Sequence, residues 1–171
     1  MRALVVYESM FGNTRAVAEA IAAGLEVAAD IELVEVSEAP VGRLSGIDLL
    51  VAGGPTHALG LSREQTRVSA LDETDQPLVS PGIGLREWLD ALDPPDGPIA
   101  VATFDTRTER PRVPGSAAVA AGRRLRRLGF VRTVRPETFR VDGMTGPLVD
   151  GELDRARTWG LDLVEQVAPV S

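Results

Sequence analysis

The chain has 171 residues, of which 44% are hydrophobic and 25% charged, the proportions of a globular protein with one proper core. Its 25 acidic residues outweigh 18 basic ones, all arginine, and the net charge of −7 argues against general affinity for nucleic acid or anionic membrane. The absence of cysteine excludes disulfides, thiolate catalysis and iron–sulfur ligation, and a single histidine argues against a structural zinc site. No apolar run approaches the ~20 residues of a membrane helix. The first strand is expected to begin at the second residue, which leaves no room for a signal peptide and predicts a cytoplasmic protein.

Strands are expected over residues 2–7, 31–36, 48–52 and 99–104, where apolar side chains run continuously. Such runs mark strands covered on both faces, as in a parallel sheet. A weaker fifth strand falls within 132–141, where Pro136 predicts an edge position or an interruption. Helical patterns lie between them. In the first, Val17, Ala20, Ile21, Gly24 and Leu25 share one face; in the last, Leu153, Ala156, Gly160, Leu163, Val164 and Val167 do so. Asp150 is placed to cap that last helix, with Glu152 and Asp154 in its first turn. A long connection over 58–84, with a short helical stretch near 62–70, precedes a helix at 85–92. Connections of that length often serve as lids or binding loops, and an exposed insertion over the sheet edge is the alternative. Strands alternating with helices imply right-handed crossovers and a three-layer α/β sandwich.

The loop after the first strand, Ser9-Met10-Phe11-Gly12-Asn13-Thr14, offers two hydroxyls, an amide and a glycine where a helix begins. A helix N-terminus leaves N–H groups unpaired and attracts anions, so the loop suits a phosphate monoester; it would serve equally as an ordinary cap. A P-loop is excluded because it needs a lysine. A dinucleotide fingerprint is excluded because it needs three glycines, and only Gly12 is present. FAD and NAD are therefore not expected.

The run Val5-Val6-Tyr7-Glu8-Ser9-Met10-Phe11-Gly12-Asn13-Thr14 resembles the first strand and phosphate loop of the flavodoxin family. Leu49-Leu50-Val51-Ala52-Gly53-Gly54-Pro55-Thr56-His57 resembles that family's third strand and the loop beneath its flavin ring. The resemblance implies one flavodoxin-like domain over 1–171, with a five-stranded parallel sheet in the order 2-1-3-4-5. It implies FMN held by Ser9, Met10, Phe11, Gly12, Asn13 and Thr14, by Pro55, Thr56 and His57, and by Thr103, Phe104 and Asp105. In flavodoxins the ligand sits beyond the C-terminal strand ends, so these three loops are expected to converge. The implied function is electron transfer or flavin-dependent reduction, with an unidentified redox protein or small-molecule acceptor as partner. Two departures stand out. Phe11 replaces a hydroxyl residue that flavodoxins usually carry, and no stacking tyrosine follows Asp105. They leave room for a different reading, a flavodoxin-like fold that has lost FMN and works as a binding or regulatory module. A third reading is an enzyme for a quinone or porphyrinogen.

No hydrolytic constellation and no metal-ligand cluster is visible in the sequence. Arg107, Arg110 and Arg112 form a positive group next to the third loop, suited to an anionic substrate or partner, or simply solvated. Arg123, Arg124, Arg126 and Arg127 are expected on a solvated helix face near its C-terminus.

Overall fold

The structure, a computed structural model, describes residues 1–112 and 114–167. Six strands, β1 (Arg2–Tyr7), β2 (Asp30–Glu35), β3 (Leu49–Pro55), β4 (Ala100–Thr108), β5 (Val131–Arg132) and β6 (Glu137–Val141), form one sheet. All pairings are parallel, in the order β2-β1-β3-β4, with β5 and β6 both alongside β4. The expected fifth strand is thus one edge ribbon in two pieces, and the order 2-1-3-4-5 holds. From Arg132 to Glu137 the edge advances five residues while β4 advances only three, from Val101 to Phe104. Pro136 lies in this bulge, where its missing N–H costs no ladder bond.

Among the described residues the helices α1 (Asn13–Leu25), α3 (Leu85–Asp90), α4 (Ala117–Leu128) and α5 (Glu152–Val167) cover the sheet, and α2 (Glu64–Ala70) lies in the long connection. The strand pleat sends alternate side chains to opposite faces, so each apolar strand feeds two cores. Leu4, Val6, Leu50, Ala52 and Val101 pack with Trp88 and Leu89 of α3 and with Ala121 and Leu125 of α4. Ala3, Val5, Leu49, Val51 and Phe104 pack with Val17 and Ile21 of α1 and with Ala156 and Leu163 of α5. In that second core Phe104, Phe139 and Trp159 meet edge to face at centroid distances of 6.2–6.4 Å.

Local chemistry ends the helices where the sequence changes character. Ser116 caps α4 by accepting from Val119 N–H at 3.1 Å, and Gly129 closes it with φ +102°. Arg126 and Arg127 occupy the last turn of α4. The last helix differs from expectation. Gly151 takes the position before Glu152, with its carbonyl accepting from Arg155 N–H at 3.0 Å, so Asp150 lies one residue outside the cap. Among the described residues no helix is long and apolar enough to cross a membrane.

Candidate functional site

β1, β3 and β4 all end on the same edge of the sheet, and a cleft of about 470 Å³ opens there. Its closed end is the loop after β1. Ser9 and Thr14 are almost fully buried. The Ser9 hydroxyl accepts from Gly12 N–H at 3.1 Å, and the Thr14 hydroxyl shares a 2.7 Å hydrogen bond with that of Thr106. Gly12, at φ +95°, turns the chain into α1 without a capping side chain. Its carbonyl accepts from Ala16 N–H, so the first-turn N–H groups of Asn13, Thr14 and Arg15 have no acceptor within the helix.

Of the residues singled out in the sequence, Ser9, Met10, Phe11, Asn13, Thr14, Pro55, Thr56 and His57 line the cleft, and Gly12 shapes its closed end. Several carry structural duties as well. Asn13 donates its amide to the Thr145 carbonyl at 3.0 Å, clamping the turn after β6 that brings Met144 to the cleft. Thr56 donates its hydroxyl to Asp105 and accepts from Ala117 N–H, both at 2.9 Å. Phe11 turns to Met10, Ala70 and Leu78, so the residue that breaks the hydroxyl pattern anchors the long connection.

Thr103, Phe104 and Asp105 do not reach the cleft. β4 runs four residues past the expected end, and its pleat sends Thr103 and Asp105 toward α4 and Phe104 into the aromatic core. Thr106, Arg107 and Thr108 line the cleft in their place, with Pro111. The alternation of polar Thr103 and Asp105 with Phe104 is a strand signal, and extending it would have found them.

The connection over 58–84 forms the opposite wall, with Thr66, Ser69, Ala70 and Glu73 facing the cleft. Its return leg pairs with the first loop, through Val79 N–H to the Met10 carbonyl at 3.0 Å and Ser80 N–H to the Ser9 carbonyl at 2.8 Å. Beneath this wall lies a residue passed over in the sequence. Glu8 is 1% exposed; it accepts from Leu85 N–H at 2.7 Å and from the Ser62 hydroxyl, which in turn accepts from Arg67 at 3.0 Å. Arg67 forms a forked pair with Glu87 at 3.1 and 3.2 Å. A lone acid between an apolar strand and a buried loop was the available signal. Burial raises the Glu8 carboxyl above its usual range, against the hydrogen bonds and the Arg67 charge. For Glu87 burial also acts upward, but hydrogen bonds from Arg67 and Gly84 N–H leave it below the usual range.

These shifts have opposite signs in a pH titration. A carboxyl held high in the fold stabilises most in acid, and that contribution is lost as pH rises from the unfolded value through the folded one. Glu87 contributes above its unfolded value and loses this as pH falls through the folded one. Glu8→Gln keeps the shape and removes the titration. Relative to the parent protein it should gain stability as pH rises through the range in which the buried Glu8 carboxyl ionises, measured by urea denaturation at a series of pH values. A pH-independent difference would contradict this account of Glu8.

His57 sits in a tight turn, exchanging backbone hydrogen bonds with Gly60 at 2.8 and 2.9 Å. The turn holds Ala58 at φ +40° and Leu59 at φ +80°, a left-handed pair that costs ~1–2 kcal/mol per residue. Burial and the Arg67 charge lower the imidazole pKa, against a hydrogen bond with the Thr66 backbone, so His57 is neutral at pH 7. Among the described residues no group of three or more histidine or acidic side chains could hold a metal ion.

Comparison with known proteins agrees with this architecture. The flavodoxin family model matches residues 5–91. A flavodoxin from the domain Archaea superposes with a TM-score of 0.64 at 20% identity, covering 98% of this chain and 99% of that one. Oxidised flavodoxin 1 from Bacillus cereus does so with a TM-score of 0.62 at 15% identity, covering 96% and 98%. The flavodiiron protein from Giardia intestinalis gives 0.59 at 16% identity, with 97% of this chain covering 36% of that one. At these identities the likeness is one of fold. No curated protein matches the sequence. With the family model spanning half the chain, and with this sheet order and edge cleft, the chain belongs to the flavodoxin family.

Proposed function

We propose that the cleft binds FMN and that the protein is a cytoplasmic flavin redox protein, an electron carrier or a flavin-dependent reductase. The observation that carries this reading is the closed end of the cleft. The buried Ser9 and Thr14 hydroxyls converge there on the N-terminus of α1, at the end of a chamber large enough for a cofactor. The donor set fits a terminal phosphate: two hydroxyls, the first-turn N–H groups and the positive end of the helix dipole. Pro55, Thr56, His57 and Ala58 would lie along one side of a flavin, and Thr106, Arg107, Thr108 and Met144 along the other. Bound FMN supplies one- and two-electron redox chemistry. The protein's own part is to bind the phosphate, to shield the ring with the 58–84 wall and to keep a neutral imidazole beside it.

Freshly purified protein is expected to be yellow and to release FMN, identified by mass, not FAD. Ser9→Ala with Thr14→Ala should weaken FMN by ~100-fold or more, because hydrogen bonds to a charged group are worth ~1.5–3 kcal/mol each. Riboflavin, which lacks the phosphate, should be affected little. Equal losses for both ligands would place the phosphate elsewhere. A colourless protein that takes up no FMN would favour the binding-module reading, to which Phe11 and the absent tyrosine point.

A further inference from the structure

We infer that the mouth of the cleft is a two-fold interface on which a second copy of this chain docks. The two lips of the mouth carry opposite charge. On one side the connection presents Asp72, Glu73 and Asp75, all exposed and, among the described residues, without an ion pair. On the other side the turn after β4 presents the exposed Arg110 and Arg112, with half-buried Arg107 at the end of β4. Glu109 is the carboxylate placed among these arginines, and it is shared between Arg112 at 3.2 Å and Arg140 at 3.7 Å. Glu73 and Arg107 both line the cleft, and the exposed Asp72, Asp75, Arg110 and Arg112 lie within five residues of them in the chain. Met144, which lines the cleft, is 63% exposed and adds an apolar side chain to the opening.

The distribution of charge selects the occupant. In a two-fold interface residue i of one copy meets residue j of the other, and j meets i. A single-signed surface would repel its own copy, and this chain is acidic overall at −7. Opposite lips on one mouth give the complementary arrangement: the acidic lip of each copy lies on the basic lip of the other, twice. The two clefts then face one another across the axis. This inference does not depend on FMN and holds for the protein with or without it.

The test reverses each lip in turn. The unmodified protein, followed by sedimentation over concentrations up to ~100 µM, should form a dimer at low ionic strength that dissociates as salt screens the lips. Arg110→Glu with Arg112→Glu makes both lips acidic, and Asp72→Arg with Asp75→Arg makes both basic. All four side chains are exposed, and circular dichroism confirms that each variant folds. Each variant alone should dissociate at least ~10-fold more readily, while an equimolar mixture of the two should regain association as a heterodimer. A protein that stays monomeric throughout would overturn the inference, including one whose mouth captures a foreign dipolar protein instead. So would a dimer indifferent to both variants, or a mixture that fails to associate.

Discussion

Asp105→Ala is expected to destabilise the protein by roughly 4 kcal/mol, lowering the melting temperature by ~8–16 °C for a chain of this size. The carboxylate is fully buried and serves four donors from three separate elements. One oxygen accepts from the Thr56 hydroxyl at 2.9 Å, the Ser116 hydroxyl at 2.6 Å and Ala118 N–H at 3.1 Å. The other accepts from the Thr138 hydroxyl at 2.7 Å. It thereby ties the end of β3, the start of α4 and β6 to β4, and it sits where the dipole of α4 favours an anion. Alanine leaves all four donors behind. The hydroxyls can turn elsewhere, but the buried Ala118 N–H cannot, and an unsatisfied buried donor costs ~1–3 kcal/mol. Asp105→Asn should cost about half as much, because its oxygen can keep the three-donor side while its amide donates to the rotatable Thr138 hydroxyl. Thermal denaturation of the two variants checks the ranking. Parent-like melting of Asp105→Ala would remove Asp105 from the role assigned to it.

The second large effect is expected from Gly160→Ala. In a helix this exchange ordinarily stabilises by ~1 kcal/mol. Here the sign reverses, because α1 and α5 meet backbone to backbone. A Cβ on Gly160 would stand 2.3 Å from the Ile21 carbonyl oxygen, and one on Gly24 would stand 2.2 Å from the Arg157 carbonyl oxygen. Both obstacles are main chain, so relief requires the helices to separate. Separation would loosen the core in which Trp159 meets Phe104 and Phe139. A destabilisation of ~3 kcal/mol or more is expected, at the upper end for overpacking. Gly24→Ala should behave alike. The double variant should cost less than the sum, since one separation relieves both clashes. Urea denaturation of the three proteins measures this, and additive effects would mean that the two glycines do not share one contact.

Gly24 and Gly160 show where sequence reading stops. Each was recognised as a position on an apolar helical stripe, but the requirement for glycine arises from a contact between opposite ends of the chain. The candidate site divides in the same way. The loop after β1 was legible because its chemistry is local: hydroxyls, a glycine and a helix start lie within six consecutive residues. The third loop was misplaced by a few residues, because Asp105 looks like the start of a loop until Ser116, Ala118 and Thr138 supply its partners. Phe11 looked like a lost phosphate contact until Ala70 and Leu78 gave it a packing role. Glu8 gave no reason to be noticed beyond its position, and its partners lie 54 and 77 residues away.

By itself the sequence determined the succession of strands and helices and the parallel sheet, while the edge expected to hold a ligand came from the family resemblance. Continuous apolar strands can be buried only between two helical layers, and right-handed crossovers place the loops. The tertiary structure decided which side chains of those loops face the cleft. That outcome depends on the strand pleat at β4, where one residue of register exchanges a core side chain for a cleft-lining one. It also depends on hydrogen-bond partners such as Thr14 and Thr106, which lie 92 residues apart and meet only when the sheet is complete.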